Sequence, residues 1–211
     1  MTRILAVADE IDEALYGDKL YELQPDLIVS CGDLPFDYLE NLVSRTDVPL
    51  AYVPGNHDPD LGREAAHMAT MLTAPLPGPQ GCDTVDVRVL DASGLRVAGL
   101  GGSIRYNTGA NQYTQAEMRL RALNLEIRLR WKRLWRGDRL DVLLAHAPAL
   151  GCGDLEDDAH RGIAALHRLV RIFRPRFLIH GHVHPMSRPC KDLRLGDTQV
   201  INAVPSRLLE V

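Results

Sequence analysis

Six residues of types that can bind divalent metals lie far apart in the sequence, and each stands a few residues after a short apolar run. They are Asp9, Asp33, Asn56, His146, His182 and His184. Imidazole binds zinc, iron and manganese, while carboxylate and amide oxygens add harder ligands. A carboxylate such as Asp33 can bridge two ions, and two ions ~3.5–4 Å apart suit in-line attack on phosphorus. The set therefore predicts a divalent-metal centre suited to phosphate chemistry.

The apolar runs that precede these residues are predicted strands. They span residues 3–8, 27–30, 50–53, 142–145 and 177–180. Predicted helices at 18–24 and 36–45 separate the first three, and this βαβαβ order is typical of a parallel sheet covered by helices. Because sites in open α/β sheets form outside the carboxyl ends of the strands, we expect the five following loops to converge.

The remaining sequence predicts a hairpin, three more helices and a second sheet. Residues 84–90 alternate in polarity, and a strand at 95–100 follows after the turn Asp91-Ala92-Ser93-Gly94. The helices are predicted at 61–72, 114–135 and 162–173, with a Pro/Gly-rich loop at 74–81. Strands at 186–193 and 198–202 would close the second sheet. No linker divides the 211 residues, so we expect one domain over 1–211.

The longest predicted helix carries one apolar stripe with arginines elsewhere, which is the amphipathic pattern of a packed helix. The stripe contains Leu120, Leu123, Ile127, Trp131 and Leu134. The basic stretch 119–139 is expected to be a solvated face, with a nucleic-acid or membrane-surface patch as the alternative. Trp131 and Trp135 could instead mark the surface of a homo-oligomer.

The polar residues belong to motifs in a fixed order. After Asp9 come Gly32-Asp33, Gly55-Asn56-His57-Asp58, His146 and Gly181-His182-Val183-His184. This order resembles the calcineurin-like metallophosphoesterase family over nearly the whole chain, and the GNHD and GHVH elements together are its most specific part. The resemblance implies an α/β fold built as a four-layer α/β/β/α sandwich, with two mixed sheets flanked by helices.

The resemblance also implies a role for each residue at two divalent ions. Asp33 would bridge both ions, and His57 would bind neither, but would face the phosphate as an acid or charge stabiliser that Asp58 orients. The remaining ligands would divide between the ions as Asn56, His146 and His182 on one side and Asp9 and His184 on the other.

One position departs from the family pattern, which begins Asp-x-His where this chain has Asp9-Glu10-Ile11. Ile11 has no donor atom, so this site lacks a ligand unless Glu10 or Asp12 replaces it. Strand alternation argues against Glu10, but a loop that starts at Asp9 would remove that objection. An added carboxylate would favour manganese or iron, with zinc as the alternative.

The chain is also similar to a bacterial subgroup of the family that has Asp-Glu at this position. That subgroup carries a segment like Arg105-Tyr106-Asn107, which we therefore expect to contact substrate. Arginine suits this role because its guanidinium binds phosphate with two hydrogen bonds.

The expected function is hydrolysis of a phosphomonoester or phosphodiester by attack of metal-bound hydroxide. The alternative is a non-catalytic metal- or nucleotide-binding regulatory protein on the same fold. The presence of both His57 and Asp58 favours the enzyme, because a protein that only binds has no use for an acid facing the phosphate. We expect a phosphate-ester substrate, with nucleic acid left open as a substrate class.

Two further groups of polar residues have competing interpretations. His180 directly follows an apolar strand and is expected to pack or to hydrogen-bond a ligand rather than to bind metal. Four residues after His146 could form an ordinary polar loop before a helix, or could border the cleft and help to select substrate. They are Asp154, Asp157, Asp158 and His160.

Composition gives no overall attraction to polyanions. The formal net charge is -4, with 45% hydrophobic and 25% charged residues. The first apolar run ends at Asp9 and is too short for a membrane span. Four scattered cysteines without a CxxC pair suggest reduced thiols and a cytoplasmic protein.

Overall fold

The computed structural model describes residues 1–61, 78–136, 139–185 and 192–211, with the backbone alone at 133–136. Its first sheet contains β1 (Arg3–Val7), β2 (Leu27–Ser30), β3 (Leu50–Tyr52), β4 (Asp83–Thr84) and β13 (Ser206–Glu210). The spatial order is β13-β1-β2-β3-β4. Strands β1 to β4 are parallel, and β13, which the sequence patterns did not predict, pairs antiparallel with β1.

The second sheet is built from six strands. They are β5 (Val89–Ala92), β6 (Leu95–Leu100), β9 (Val142–Ala145), β10 (Phe177–His180), β11 (Leu193–Leu195) and β12 (Thr198–Asn202), in the order β11-β12-β10-β9-β6-β5. The four central strands are parallel, and the edge strands β5 and β11 are antiparallel to their neighbours. Two short strands, β7 (Ser103–Ile104) and β8 (Gln112–Tyr113), form a separate parallel pair.

Helices cover the outer face of each sheet. A 3-10 turn (Glu13–Tyr16), α1 (Lys19–Leu23) and α2 (Phe36–Thr46) pack on the first sheet, while α3 (Gln115–Arg136) and α4 (Ala165–Phe173) pack on the second. Alternate strand residues such as Ile4 and Val142 fill the space between the sheets, and their neighbours Leu5 and Leu143 face the helices. This arrangement confirms the predicted four-layer α/β/β/α sandwich.

The single strand predicted at 84–90 is wrong, because this segment is shared between the two sheets. Strand β4 pairs with β3, whereas β5 pairs with β6 in the predicted hairpin. Between them Val87 adopts a left-handed backbone with a φ of 52°, and the Asp86 carboxylate binds Arg121 at 2.7 Å. The alternation of apolar and polar residue types continues through the crossing, so polarity alone does not reveal the change of sheet.

The described side chains of the apolar stripe predicted on α3, from Leu120 to Trp131, face solvent instead of the second sheet. Leu120 is 63% exposed and Trp131 is 61% exposed. The packed face is the opposite one, which contains Met118, Ala122, Leu125 and Leu129. The helix is thus apolar on two faces, and the small Ala122 and the flexible Met118 allow close packing on the buried one.

Other predicted elements agree with the structure to within a few residues where both can be compared. Helix α4 begins at Ala165 rather than at Gly162, and β11 pairs with β12 as the predicted closure of the second sheet requires. The helix predicted at 61–72 and most of the strand at 186–193 lie outside the described residues. Among the helices of the described ranges, none is long and apolar enough to cross a membrane.

Candidate metal centre

The structure brings together the loops that follow β1, β2, β3, β9 and β10. The His146 ring lies against the Cys31 carbonyl, and the Gly181 amide donates to the His146 carbonyl at 3.0 Å. The His182 amide donates to the Asp9 carboxylate at 2.9 Å, which joins the first strand loop to the last. Residues distant in sequence therefore share one edge of the sandwich.

The chain turns abruptly at the first candidate ligand of three of these loops. Asp9, Asp33 and His182 have φ values of 59°, 56° and 67°, in the left-handed region. The glycine before or opposite each turn is needed for close approach: a Cβ on Gly55 would overlap Asp33, and one on Gly181 would overlap Asp9. The Gly-Asn and Gly-His pairs thus let each loop pack directly on a neighbouring carboxylate.

Asp9, Asp33 and His146 form the centre of the site, called here the Asp–His cluster. One ligand atom from each residue lies within 4.8 Å of the others. His146 is fully buried, and its Nε2 lies 2.9 Å from Asn56 Oδ1 and 3.3 Å from Asp33 Oδ2. A cation that replaced a proton on His146 Nε2 would meet three donor atoms at once, so the donor set fits a metal.

Each of the three candidate histidine ligands has one ring nitrogen bound to an oxygen acceptor. His146 Nδ1 lies 2.7 Å from the Cys31 carbonyl, and His182 Nε2 lies 2.7 Å from the Ala159 carbonyl. His184 Nδ1 lies 2.6 Å from a Glu10 carboxylate oxygen. Because these oxygens only accept hydrogen bonds, the proton of the neutral ring is placed on the named nitrogen. The other nitrogen of His182 and of His184 is then available to a metal, as metal-ligating histidines require, whereas His146 Nε2 faces Asn56 Oδ1 and Asp33 Oδ2, where a metal would replace its proton.

Burial and charge set opposing pKa shifts in the cluster. Burial alone would lower the pKa of His146, but the hydrogen bond and charge of Asp33, with the charge of Asp9, raise it to about 9. Burial raises the pKa of Asp9. Burial would also raise the pKa of Asp33, but the hydrogen bond and charge of His146, together with the hydrogen bond from the His57 amide, lower it. Burial lowers the pKa of His182 to about 4, so this ring is neutral at pH 7.

The fold and this geometry agree with a family model that matches residues 3–186 of the chain, the model of the calcineurin-like phosphoesterases. The chain belongs to the calcineurin-like phosphoesterase family. Members of this family are in general hydrolytic phosphoesterases and typically bind a dinuclear metal centre.

Two solved structures share the fold of this family member. One crystal structure is 19% identical, with a TM-score of 0.64, and the match covers 95% of this chain and 90% of that one. The protein TT1561 of Thermus thermophilus is 20% identical, with a TM-score of 0.60, and the match covers 96% of this chain and 88% of that one. A search of curated proteins finds no match to this sequence.

The altered first motif of this calcineurin-like chain places its two acidic candidates differently. Glu10 contacts His184, and both side chains are about half exposed, at 52% and 53%. The Asp12 carboxylate instead binds Lys19 at 2.8 Å and Ser206 at 2.6 Å, and caps the following 3-10 turn. These hydrogen bonds therefore hold the Asp12 carboxylate on Lys19 and Ser206, whereas Glu10 lies beside the candidate ligand His184.

The two residues expected to assist catalysis occupy different environments. The His57 side chain is exposed, and its backbone amide donates to Asp33 Oδ1 at 2.8 Å. Asp58 is buried, and its carboxylate accepts from the Gly55 and Asp33 amides at 2.7 and 3.0 Å. The hydrogen bonds of Asp58 thus join the second and third strand loops at their backbones.

The segment expected to contact substrate is only partly at the cluster. The Tyr106 hydroxyl lies 3.1 Å from Asn56 Nδ2, so Tyr106 reaches the site directly. The Arg105 guanidinium pairs with Glu117 at 3.0 Å on the surface. The Asn107 side chain accepts from Gln112 Nε2 at 2.6 Å and from the Gly109 amide at 2.7 Å, which shapes its own loop.

Several contributors to the site carry no pattern in the sequence. The Cys31 and Ala159 carbonyls orient two histidines, and backbone acceptors have no residue-type signal. Asn111 Nδ2 donates to the Gly55 and Asp58 carbonyls, both at 3.0 Å, and so supports the GNHD loop. His180 is buried with its Nδ1 at 2.9 Å from the Gly181 carbonyl, in agreement with a packing role.

Proposed function

We propose that this protein hydrolyses a phosphomonoester or phosphodiester at a centre of two divalent ions. Manganese or iron is the preferred metal, and zinc is the alternative. The observation that carries the proposal is the Asp–His cluster, in which ligand atoms of Asp9, Asp33 and His146 lie within 4.8 Å of each other. Carboxylates and imidazoles held this closely in a buried pocket are costly unless a proton or a cation lies between them.

The proposed division of the ligands between the two ions is the one that the family resemblance implies, and the hydrogen bond on one ring nitrogen of His182 and of His184 selects the other nitrogen as the ligand atom. Asp33 would bridge the ions, with Asn56 Oδ1, His146 Nε2 and His182 Nδ1 completing one site. Asp9 and His184 Nε2 would belong to the other, with Glu10 against the His184 ring at 2.6 Å. Two such ions supply the Lewis acidity that activates water and neutralises charge on the phosphoryl oxygens.

His57 is proposed as the group that protonates the leaving oxygen or stabilises the phosphoryl charge. Its ring is exposed, while its own backbone amide is fixed on Asp33 at 2.8 Å. Asp58 would act through the loop, because its buried carboxylate ties the Gly55 and Asp33 amides together. The acid is thereby held near the ligands without being one of them.

Tyr106 is the best-supported substrate contact of the 105–107 segment, since its hydroxyl already lies 3.1 Å from Asn56 Nδ2. Arg105 could exchange Glu117 for a substrate phosphate, because an ion pair exposed to solvent is weak. Asn107 would serve by shaping the loop that carries the tyrosine.

The test is to remove metal with a chelator and to measure turnover of a chromogenic aryl phosphodiester and monoester. Activity should disappear and should return on adding manganese or iron. Asp33→Asn should abolish turnover, while His57→Ala should keep its metal content and lower turnover by ~10²–10⁴-fold. Unchanged activity of the metal-free protein would refute the proposal. A protein that binds metal but turns over neither ester, with or without His57, would instead be the non-catalytic regulator.

A further inference from the structure

The segment between His146 and α4 lies directly against a proposed metal ligand. The Ala159 carbonyl accepts from His182 Nε2 at 2.7 Å. The His160 ring lies beside the His182 ring, with centroids 5.3 Å apart, and His182 in turn lies 4.8 Å from His146. The two residues that cover His182 from this side are therefore consecutive, and their placement decides the environment of that ring.

One side chain, Asp157, organises both of these residues. Its Oδ1 accepts the backbone amides of Ala159 and His160, each at 3.0 Å. Its two carboxylate oxygens also lie 2.9 and 3.0 Å from His160 Nδ1. All three donors thus come from the two residues that face His182.

The neighbouring acid has none of these contacts. The Asp158 side chain is 84% exposed, and its ion pair is with Arg161 at 3.1 Å. Asp157 and Asp158 therefore differ by position alone, with the same charge and the same side chain. This makes Asp158 a matched control for any effect of Asp157.

We propose that Asp157 is a positioning residue for His182. By holding Ala159 and His160 in place, it aims the Ala159 carbonyl at His182 Nε2, keeps the proton on that nitrogen and leaves Nδ1 to the metal. The expected effect on metal binding rests on the proposed function. The choice of tautomer does not, because it is a property of the metal-free protein. Partners that orient metal-bound histidines are worth ~10–100-fold in metal affinity.

The tautomer is measured by nitrogen-15 NMR of the imidazole groups in metal-free protein at pH 7.5. The His182 signals are assigned by their loss in His182→Gln. Wild type and Asp158→Ala should show the Nε2–H tautomer of His182 alone, and Asp157→Ala should show a mixture. Asp157→Asn keeps one acceptor oxygen and should restore most of the wild-type pattern.

Manganese titration of the same four proteins gives the second measurement. The affinity of one site should fall ~10–100-fold in Asp157→Ala and remain unchanged in Asp158→Ala. The inference is overturned if Asp157→Ala retains both the single tautomer and the wild-type affinity, or if Asp158→Ala changes them equally. Failure of wild type to bind manganese would refute the proposed function, while the tautomer experiment would still decide the role of Asp157.

Discussion

The contact between Glu10 and His184 provides a test of how this chain manages without the histidine of the family's first motif. Glu10 lies 2.6 Å from His184 Nδ1, and Ile11 has no donor atom to offer. Replacing Glu10 by Gln removes the charge but keeps an acceptor oxygen. The variant therefore separates a residue that only orients His184 from one that binds the metal itself.

The expected magnitude follows from exposure and from the type of contact. Both side chains are about half exposed, at 52% and 53%, so even a fully charged pair would contribute only ~0.2–1 kcal/mol, at most about fivefold in a binding constant. Orientation of a metal-bound histidine is worth ~10–100-fold. Since Gln retains the hydrogen bond, an orienting role predicts a loss of about tenfold at the weaker site. A direct ligand predicts a loss beyond 100-fold, above that range for orienting partners.

The assay is a calorimetric titration of manganese into metal-free wild type, Glu10→Gln, Ile11→His and Glu13→Gln. The last variant removes the same charge from an exposed residue of the adjacent turn and should bind like wild type. Two unequal sites are expected in wild type, with the weaker one tightened by Ile11→His. Wild-type affinity in Glu10→Gln would refute both roles of Glu10, and a single site in wild type would refute the two-metal arrangement.

Two further predictions concern the folded state. Burial lowers the pKa of both His180 and His182 to about 4. The unfolded chain therefore binds protons that the metal-free folded state does not bind. The free energy of unfolding should decrease as the pH falls from ~6.5 to 4. Thermal melting should show this decrease in wild type and a smaller one in His180→Asn; equal slopes would contradict the assignment. Leu125→Ala should destabilise by ~2–5 kcal/mol in urea, whereas Leu120→Ala should change stability by less than ~0.5 kcal/mol, and the reverse order would mean that the other face of α3 is packed.

The parts of the fold that could be predicted are those where one face or both faces of an element are buried continuously. Strands such as Leu27–Ser30 are buried on both sides and appear as unbroken apolar runs. The prediction of the buried face of α3 was wrong because two opposite faces of this helix are apolar. Only packing against the second sheet distinguishes the buried Leu125 from the exposed Leu120. Strand β13 has only Leu209 buried, so its sequence carried too little pattern to be recognised.

The candidate site also has parts that the sequence could predict and parts that it could not. Residue types at strand ends predicted the Asp–His cluster, because the topology of a parallel sheet brings strand ends to one edge. Which nitrogen of His182 is free depends on the Ala159 carbonyl, and no residue type encodes a backbone oxygen. The single domain over 1–211, the cytoplasmic location and a homo-oligomer stay predictions.

The position of Glu10 shows how local backbone geometry overrides a periodic pattern. In a continuing strand Asp9 and Glu10 would point to opposite faces, and Glu10 could not share a site with Asp9. The strand instead ends at Val7, Asp9 adopts a φ of 59°, and the Glu10 amide turns back to the Ala8 carbonyl at 2.6 Å. This turn places the Glu10 carboxylate against His184 while Asp9 holds the His182 amide. The Glu10 carboxylate can therefore lie beside a candidate metal ligand, because the left-handed backbone at Asp9 ends the strand alternation that would have placed Glu10 on the opposite face.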